Sequence, residues 1–340
     1  MLTRREVMIL AGAAAAQSGP KTGMGGTPTA FALHMQAARK ANQPFDLADA
    51  CHRFGLGGVQ TRVPVEPEGV KALREKLEQR GMYLVGDARP PREASEVGAF
   101  EKVVEASKAA GASVLHCALT GRRYEVFDTL EAFKQHFEQC QQAVRLAEPV
   151  LRKHRMKLAV ENHKDWRFAE HIAWLKRLSS EWVGVCVDVG NNISLLDDPM
   201  EMVEAYAPYA FDCHLKNMAL EDYPEGFLLA EVPLGEGIID MKKVVSILRK
   251  ANPNLKFGLE MITRDPLKVP VFTRKYWVTF DDSYSPLPGR DLANILAMVR
   301  AHRPKQPLPM ISQLSFEAQV KAEEENIRQC AVYAREQLGL

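Results

Sequence analysis

Four short segments of the sequence end in side chains that can bind a cation or move a proton. These groups are three carboxylates and one imidazole, namely Glu161, Asp188, His214 and Glu260. Each follows an apolar run that is typical of a buried strand. Three carboxylates gathered in a buried place repel one another strongly unless a divalent cation binds between them. If the four runs lie side by side, the sequence therefore predicts a metal site with three oxygen ligands and one nitrogen ligand.

This mixture of ligands limits the choice of metal. Carboxylates and imidazole suit Mn²⁺, Mg²⁺, Co²⁺ or Zn²⁺ better than an ion that prefers thiolates. The six cysteines show no Cys-x-x-Cys spacing, so neither a zinc ribbon nor a thioredoxin-like site is indicated.

Eight apolar runs predict the strands that must position these groups. They alternate with longer charged segments of helical periodicity, and the whole pattern covers roughly 270 residues, as in a (β/α)₈ TIM barrel. A doubly wound parallel sheet is the alternative, but no Gly-x-Gly-x-x-Gly follows any predicted strand. In such barrels the chemistry lies at the carboxyl ends of the strands, where all four candidate ligands fall. The predicted strands are 31–35, 58–63, 82–86, 113–119, 157–163, 183–189, 210–216 and 256–261.

Residues 29–340 are predicted to form one barrel domain with two additions. Residues 262–288 lack periodicity and are rich in aromatic residues and proline, which favours a lid-like insertion over the pocket, or alternatively a dimer contact. Residues 315–338 are predicted to form a C-terminal amphipathic helix, with 323–325 on its solvated face.

The first 28 residues are predicted to lie outside this domain. Arg4 and Arg5 precede a short apolar run that ends in alanines, a layout typical of a twin-arginine export signal, although an N-terminal helix of the domain is the alternative. The following stretch, rich in Gly, Pro and Thr, then favours a flexible tether. These features predict a protein that is periplasmic or otherwise exported.

Composition excludes several classes of protein. The 44 basic and 43 acidic residues give a net charge of +1 without a basic stripe, so a nucleic-acid partner is not expected. No 18 consecutive apolar residues occur, so no membrane association is expected once the signal is removed. The composition does not exclude a homo-oligomer.

The four candidate ligands resemble those of the xylose isomerase-like TIM barrels, the sugar phosphate isomerase and epimerase superfamily. The similar motifs are Val-Glu161-Asn-His, Cys-Val-Asp188-Val-Gly-Asn, Cys-His214-Leu-Lys-Asn and Gly-Leu-Glu260-Met, within roughly 29–261. The resemblance implies one divalent ion, most often Mn²⁺, and a sugar-like hydroxy-ketone substrate. It further implies that Glu161 and Glu260 transfer protons on either side of an enediolate, so that the enzyme is an isomerase or epimerase.

Two positions depart from the ketose 3-epimerases of that superfamily. Asn191 stands where those enzymes carry a histidine, and Leu220 stands where they carry an arginine. Other candidate substrate contacts are His163, Lys216 and Trp166, together with Asn191 itself. Lys216 could instead pair with Asp212, and Trp166 could instead pack within a loop.

Two other classes of function remain open. The first is a lyase that uses the same intermediate, dehydrating a keto-inositol or cleaving a 3-keto-glycoside. The second is a barrel that binds carbohydrate without catalysis.

Overall fold

The computed structural model describes residues 22–280 and 289–340, in which eight parallel strands close into a barrel. The predicted (β/α)₈ fold is confirmed. The strands of the chain are β1 (Thr22–Gly26), β2 (Leu56–Thr61), β3 (Tyr83–Asp87), β4 (Val114–Cys117), β5 (Lys157–Glu161), β6 (Val183–Asp188), β7 (Ala210–Leu215), β8 (Asn217–Tyr223), β9 (Gly226–Val232), β10 (Phe257–Leu259) and β11 (Leu267–Val269). Around the barrel the order is β1-β10-β7-β6-β5-β4-β3-β2, so the four strands that lead to the candidate ligands are neighbours.

Helices surround the barrel, and several of them begin at residues whose side chains cap them. The hydroxyl of Thr129 and the carboxylate of Asp198 each accept a backbone N–H bond in the first turn of the helix that follows. The helices are α1 (Ala32–Lys40), α2 (Leu47–Arg53), α3 (Pro67–Arg80), α4 (Val97–Ala109), α5 (Arg123–Val126), α6 (Leu130–His154), α7 (Phe168–Leu178), α8 (Pro199–Tyr206), α9 (Met241–Ala251), α10 (Arg274–Trp277), α11 (Gly289–Ala301) and α12 (Phe316–Gln337).

The lower part of the barrel interior is filled by an aromatic ring. Tyr83 extends from β3 across the interior, and its hydroxyl donates to the Phe257 carbonyl on β10 at 2.8 Å. Gly58 makes room for the ring, since a β-carbon at that position would come within 2.3 Å of it. The interior is therefore a packed core below the strand ends, as is usual for this fold.

The first strand was predicted at the wrong place. Residues 31–35 lie in a short 3₁₀ turn and in α1, whereas the first strand of the barrel is Thr22–Gly26. The segment Thr-Gly-Met-Gly-Gly has low β-propensity, so its sequence resembles a linker, yet four of its five residues are buried. The predicted tether and the domain boundary at residue 29 are therefore wrong for residues 22–28. The export signal predicted in the first residues lies outside the described residues.

An unpredicted antiparallel sheet adjoins the barrel. The hairpin β8–β9 leaves the barrel directly after β7, and β11 pairs with β9 from the segment that follows β10. Both connections follow the carboxyl ends of barrel strands, so this sheet lies at the end of the barrel where the candidate ligands are.

The described part of the lid-like insertion is packed against the barrel. Tyr276 is fully buried, and its hydroxyl donates to the Ser194 carbonyl at 2.8 Å. Arg123 is also fully buried and donates to both the hydroxyl and the carbonyl of Thr279. Residues 262–280 are thus anchored from two sides, while 281–288 lie outside the described residues.

The C-terminal helix α12 confirms the helix predicted over 315–338, with Ser315 as its N-cap. The solvated face predicted for 323–325 is wrong at Glu323, which is fully buried. Its carboxylate accepts the backbone N–H groups of Leu33 and His34, because the unpaired N–H groups at the start of α1 need acceptors. None of the helices in the described ranges is long and apolar enough to cross a membrane.

Candidate metal centre

Four predicted ligands converge at the carboxyl end of the barrel. Glu161, Asp188, His214 and Glu260 each offer a ligand atom, and these atoms lie within 4.8 Å of one another. All four residues are buried. The strand-end pattern in the sequence thus corresponds to a single cluster in space.

The strands and their hydrogen bonds hold this cluster in place. Asp188 lies opposite His214 in the parallel ladder of β6 and β7. The side chain of Asn162 binds both the N–H and the carbonyl of Asp188, at 2.8 and 2.9 Å, which fixes β6 to the end of β5. Glu260 follows β10, and its backbone N–H donates to the Leu215 carbonyl at 3.0 Å. The ligand positions are consequently set by backbone geometry.

The imidazole of His214 is oriented by a residue that the sequence reasoning missed. Its Nε2 lies 2.7 Å from Oε1 of Gln60 on β2, and an amide oxygen can only accept. Nε2 therefore carries the proton, and Nδ1 faces the carboxylates, 2.9 Å from Glu260 and 3.7 Å from Glu161. Only the inward alternation of β2 pointed to Gln60, and its partner lies 154 residues away.

His116 is a second residue that the sequence analysis did not place at the site. Its Nε2 lies 2.8 Å from Oε2 of Glu161, and its Nδ1 lies 2.9 Å from Asp87. Burial opposes protonation, but its bonds to Asp87 and Glu161 outweigh burial and hold the pKa of His116 well above the usual range. His116 is therefore a cationic donor to one candidate ligand.

Lys216 lies inside the cluster. Its ammonium is 2.5 Å from Asp188 and 3.2 Å from Glu260, and the residue is 1% exposed. The alternative pairing with Asp212 is not formed; one oxygen of that carboxylate has no hydrogen-bond partner among the described residues. Lys216 supplies part of the positive charge that the carboxylates need.

The electrostatics of the cluster nevertheless favour more positive charge. Burial raises the pKa of Asp188 well above its usual range, and the neighbouring carboxylates of Glu260 and Glu161 raise it further against the opposing charge of Lys216. Burial also tends to raise the pKa of Glu260, but Lys216 and His214 hold it well below its usual range. A divalent cation bound beside Asp188 would oppose this shift and favour the charged carboxylate. The donor set and its crowding fit a divalent cation, which Glu161, Asp188, His214 and Glu260 would hold.

Of the predicted substrate contacts, Asn191 lies against the candidate ligands and His163 lies beside them. Asn191 is buried, and its amide donates to Asp188 at 2.7 Å and to Glu161 at 3.3 Å, so it supports the ligands. His163 is partly exposed beside the cluster, with Nδ1 2.6 Å from the Thr120 carbonyl.

Trp166 was predicted wrongly as a substrate contact. Its ring is fully buried against Phe137, His171 and Trp174, with ring centroids 4.9–5.6 Å apart. A sugar cannot stack on a face that the core already covers. The sequence favoured either reading because a tryptophan after a strand end occurs in pockets and in packed loops alike.

Comparison with known proteins establishes the family. The family model described as xylose isomerase-like TIM barrel matches residues 48–276, well over half of the chain. The chain belongs to the xylose isomerase-like TIM barrel family. The match includes all four candidate ligands.

Individual relatives are distant. A 3-oxo-isoapionate decarboxylase of Pectobacterium atrosepticum is 24% identical over 109 residues, which are 32% of this chain and only 40% of that protein. The crystal structure of 3-keto-D-glucoside 4-epimerase from E. coli has a TM-score of 0.51 at 12% identity, and covers 83% of this chain and 100% of the other. A xylose isomerase domain protein of Planctomyces limnophilus has a TM-score of 0.50 at 14% identity, covering 74% and 90%. The two structural likenesses support the fold.

Proposed function

We propose that the protein is a divalent-metal-dependent isomerase or epimerase of a sugar-derived hydroxy-ketone. The observation that carries the proposal is the buried convergence of three carboxylates and one imidazole within 4.8 Å at the carboxyl end of the barrel. A divalent ion bound there, most plausibly Mn²⁺, would stabilise negative charge that develops on neighbouring substrate oxygens.

Glu161 and Glu260 are the proposed proton-transfer groups. They follow β5 and β10, which are separated in the barrel by β6 and β7, so they approach a bound carbon from different sides. Burial and the charge of Glu260 act to raise the pKa of Glu161, but His163 and the bond from His116 outweigh them and lower it to about 2. Glu161 is therefore ionised and able to accept a proton. Glu260, held by Thr29 at 3.1 Å and by Lys216, can return one to the other face.

The relatives support a carbohydrate substrate and leave the reaction type to experiment. One is named a 3-keto-glucoside epimerase and another a decarboxylase of an oxo sugar acid. Both names fit chemistry beside a sugar carbonyl, but the first match rests on fold and the second spans 40% of the relative. Loss of a leaving group or of CO₂ from the same charged intermediate is the second candidate function.

Metal binding is the first test. Calorimetric titration of chelator-treated protein with Mn²⁺ should show one site, and Asp188→Asn should weaken it at least tenfold, since it removes one charged ligand. Glu101→Gln is the matched control, because Glu101 belongs to a separate, partly exposed cluster with Glu105 and His154. Equal affinities of Asp188→Asn and the wild type would refute the site.

The second test follows the substrate by NMR in D₂O. Ketoses, keto-inositols and 3-keto-glycosides are incubated with Mn²⁺-loaded protein. Deuterium incorporation without loss of water, aglycone or CO₂ supports the isomerase, whereas an enone or a decarboxylated product supports the second candidate. Glu260→Gln that retains Mn²⁺ but loses exchange supports proton transfer by Glu260; unchanged exchange removes Glu260 from that role. Binding without any chemical change, unaffected by Glu161→Gln, identifies a non-catalytic binder.

A further inference from the structure

Lys164 is a buried ammonium without a charged partner. The residue is 4% exposed, and the acceptor for its Nζ is the neutral side-chain oxygen of Asn191. Among residues 22–280 and 289–340 it forms no ion pair, although an ammonium has three N–H donors. A charge in this position is unfavourable unless something else compensates it.

The nearby acidic groups do not supply a charged partner. Asp165, the next residue, directs Oδ1 to the backbone N–H groups of His163 and Trp166, each at 2.9 Å, while its other oxygen has no hydrogen-bond partner among the described residues and burial raises its pKa to about 8. Glu231 is bound by Arg264 at 2.7 Å. Lys164 is therefore the charged group of this region that lacks an oppositely charged partner.

The charges of the neighbouring groups indicate which charge a ligand beside Lys164 must carry. Glu161, Asp188 and Glu260 carry three negative charges, which Lys216 and one divalent cation balance. Asp87 is matched by His116 at 2.9 Å, and burial favours the neutral form of Asp212 by raising its pKa. Lys164 then contributes one uncompensated positive charge beside the site, because Asn191 links it to Asp188 and Glu161.

The backbone turns sharply at Lys164. Its φ is +65°, in the left-handed region that residues with a β-carbon seldom adopt, and its side chain reaches Asn191 from this turn. Burial, and then the positive charge of Lys216, lower the pKa of Lys164 to about 8 against the opposing charges of Asp188 and Glu231.

From this geometry we infer that Lys164 binds a carboxylate of the substrate, so that the substrate is a sugar acid and not a neutral ketose. This inference rests on the proposed function and specifies its substrate class. Lys216 was the earlier candidate for that role, but its ammonium is held by Asp188 and Glu260. One unmatched charge fits a carboxylate better than a phosphate dianion.

Binding to the Mn²⁺-loaded full chain tests the inference. The probes are 2-keto-D-gluconate and 5-keto-D-gluconate, which carry the carboxylate next to the ketone or at the far end, with neutral D-fructose as the control. At least one acid should bind about tenfold or more tightly than D-fructose, as for a charge-assisted hydrogen bond. D-Fructose 6-phosphate tests whether Lys164 binds a phosphate instead of a carboxylate. Tighter binding of this phosphate than of both acids overturns the inference.

Two variants locate the preference. Lys164→Met should lower the affinity for the acid to that for D-fructose and leave Mn²⁺ affinity within about twofold of the wild type, while Lys164→Arg should keep much of the preference. Urea unfolding verifies that both variants are folded. Acid preference that persists in Lys164→Met, or absence of preference in the wild type, overturns the inference. Failure of the wild type to bind Mn²⁺ instead overturns the proposed function.

Discussion

Gln60 offers the sharpest test of how the metal centre is organised. Gln60→Leu removes the acceptor for Nε2 of His214, which lies at 2.7 Å, without touching any proposed ligand. Without that acceptor the imidazole is free to carry its proton on Nδ1, the atom that faces the carboxylates. The substitution should therefore weaken metal binding and leave the ligand set intact.

The size of the effect follows from that one hydrogen bond. A neutral bond of this kind contributes about 0.5–1.5 kcal/mol, and up to about 3 kcal/mol when the imidazole gains charge on binding a cation. At about 1.4 kcal/mol per tenfold change, Mn²⁺ affinity should fall by about 10- to 100-fold, the range typical of groups that orient metal ligands.

The assay is calorimetric Mn²⁺ titration of chelator-treated protein at fixed pH. Gln141→Leu is the matched control, since Gln141 is similarly buried but lies in α6 and bonds to Glu138. If Gln60→Leu binds Mn²⁺ within twofold of the wild type, the tautomer argument is wrong. If both variants lose affinity equally, the loss reflects general destabilisation.

Three further predictions concern buried charges. Arg123→Met should lower the free energy of unfolding by about 3–5 kcal/mol in urea titration, because it leaves Glu170 buried without the guanidinium partner now at 2.8 Å; a loss below 1 kcal/mol would contradict this. Glu323→Ala should lower the free energy of unfolding by about 2 kcal/mol, because two N–H groups at the start of α1 lose their acceptor, and Glu325→Ala at an exposed position should change it little. Burial raises the pKa of Asp165 to about 8, so the native state holds its proton more tightly than the unfolded chain, and the contribution of Asp165 to stability should decline as pH rises from about 4 to 8. Asp165→Asn should lack this contribution, so its stability relative to the wild type should increase between pH 6 and pH 8.5; an unchanged difference would refute the shift.

The ligands could be predicted because each lies at the end of a strand that its local sequence reveals. Glu161, Asp188 and His214 complete apolar runs that are recognisable locally, and barrel geometry then brings them together. The barrel closure itself places Gln60 and His116 against them, and no local pattern encodes that contact.

Other features were hidden by ambiguous local signals. The glycine-rich β1 resembles a linker, since its place in the barrel depends on neighbouring strands and not on its own propensity. Glu323 resembles its exposed neighbours, yet it is needed as an acceptor by a helix 290 residues away. Each error arose where a long-range contact overrides composition.

Tyr83 has a consequence for how molecules are exchanged. With its ring spanning the barrel below the strand ends, Tyr83 separates the ligand cluster from the amino-end side of the barrel. A substrate of the proposed reaction would therefore enter, and its product leave, at the carboxyl ends of the strands.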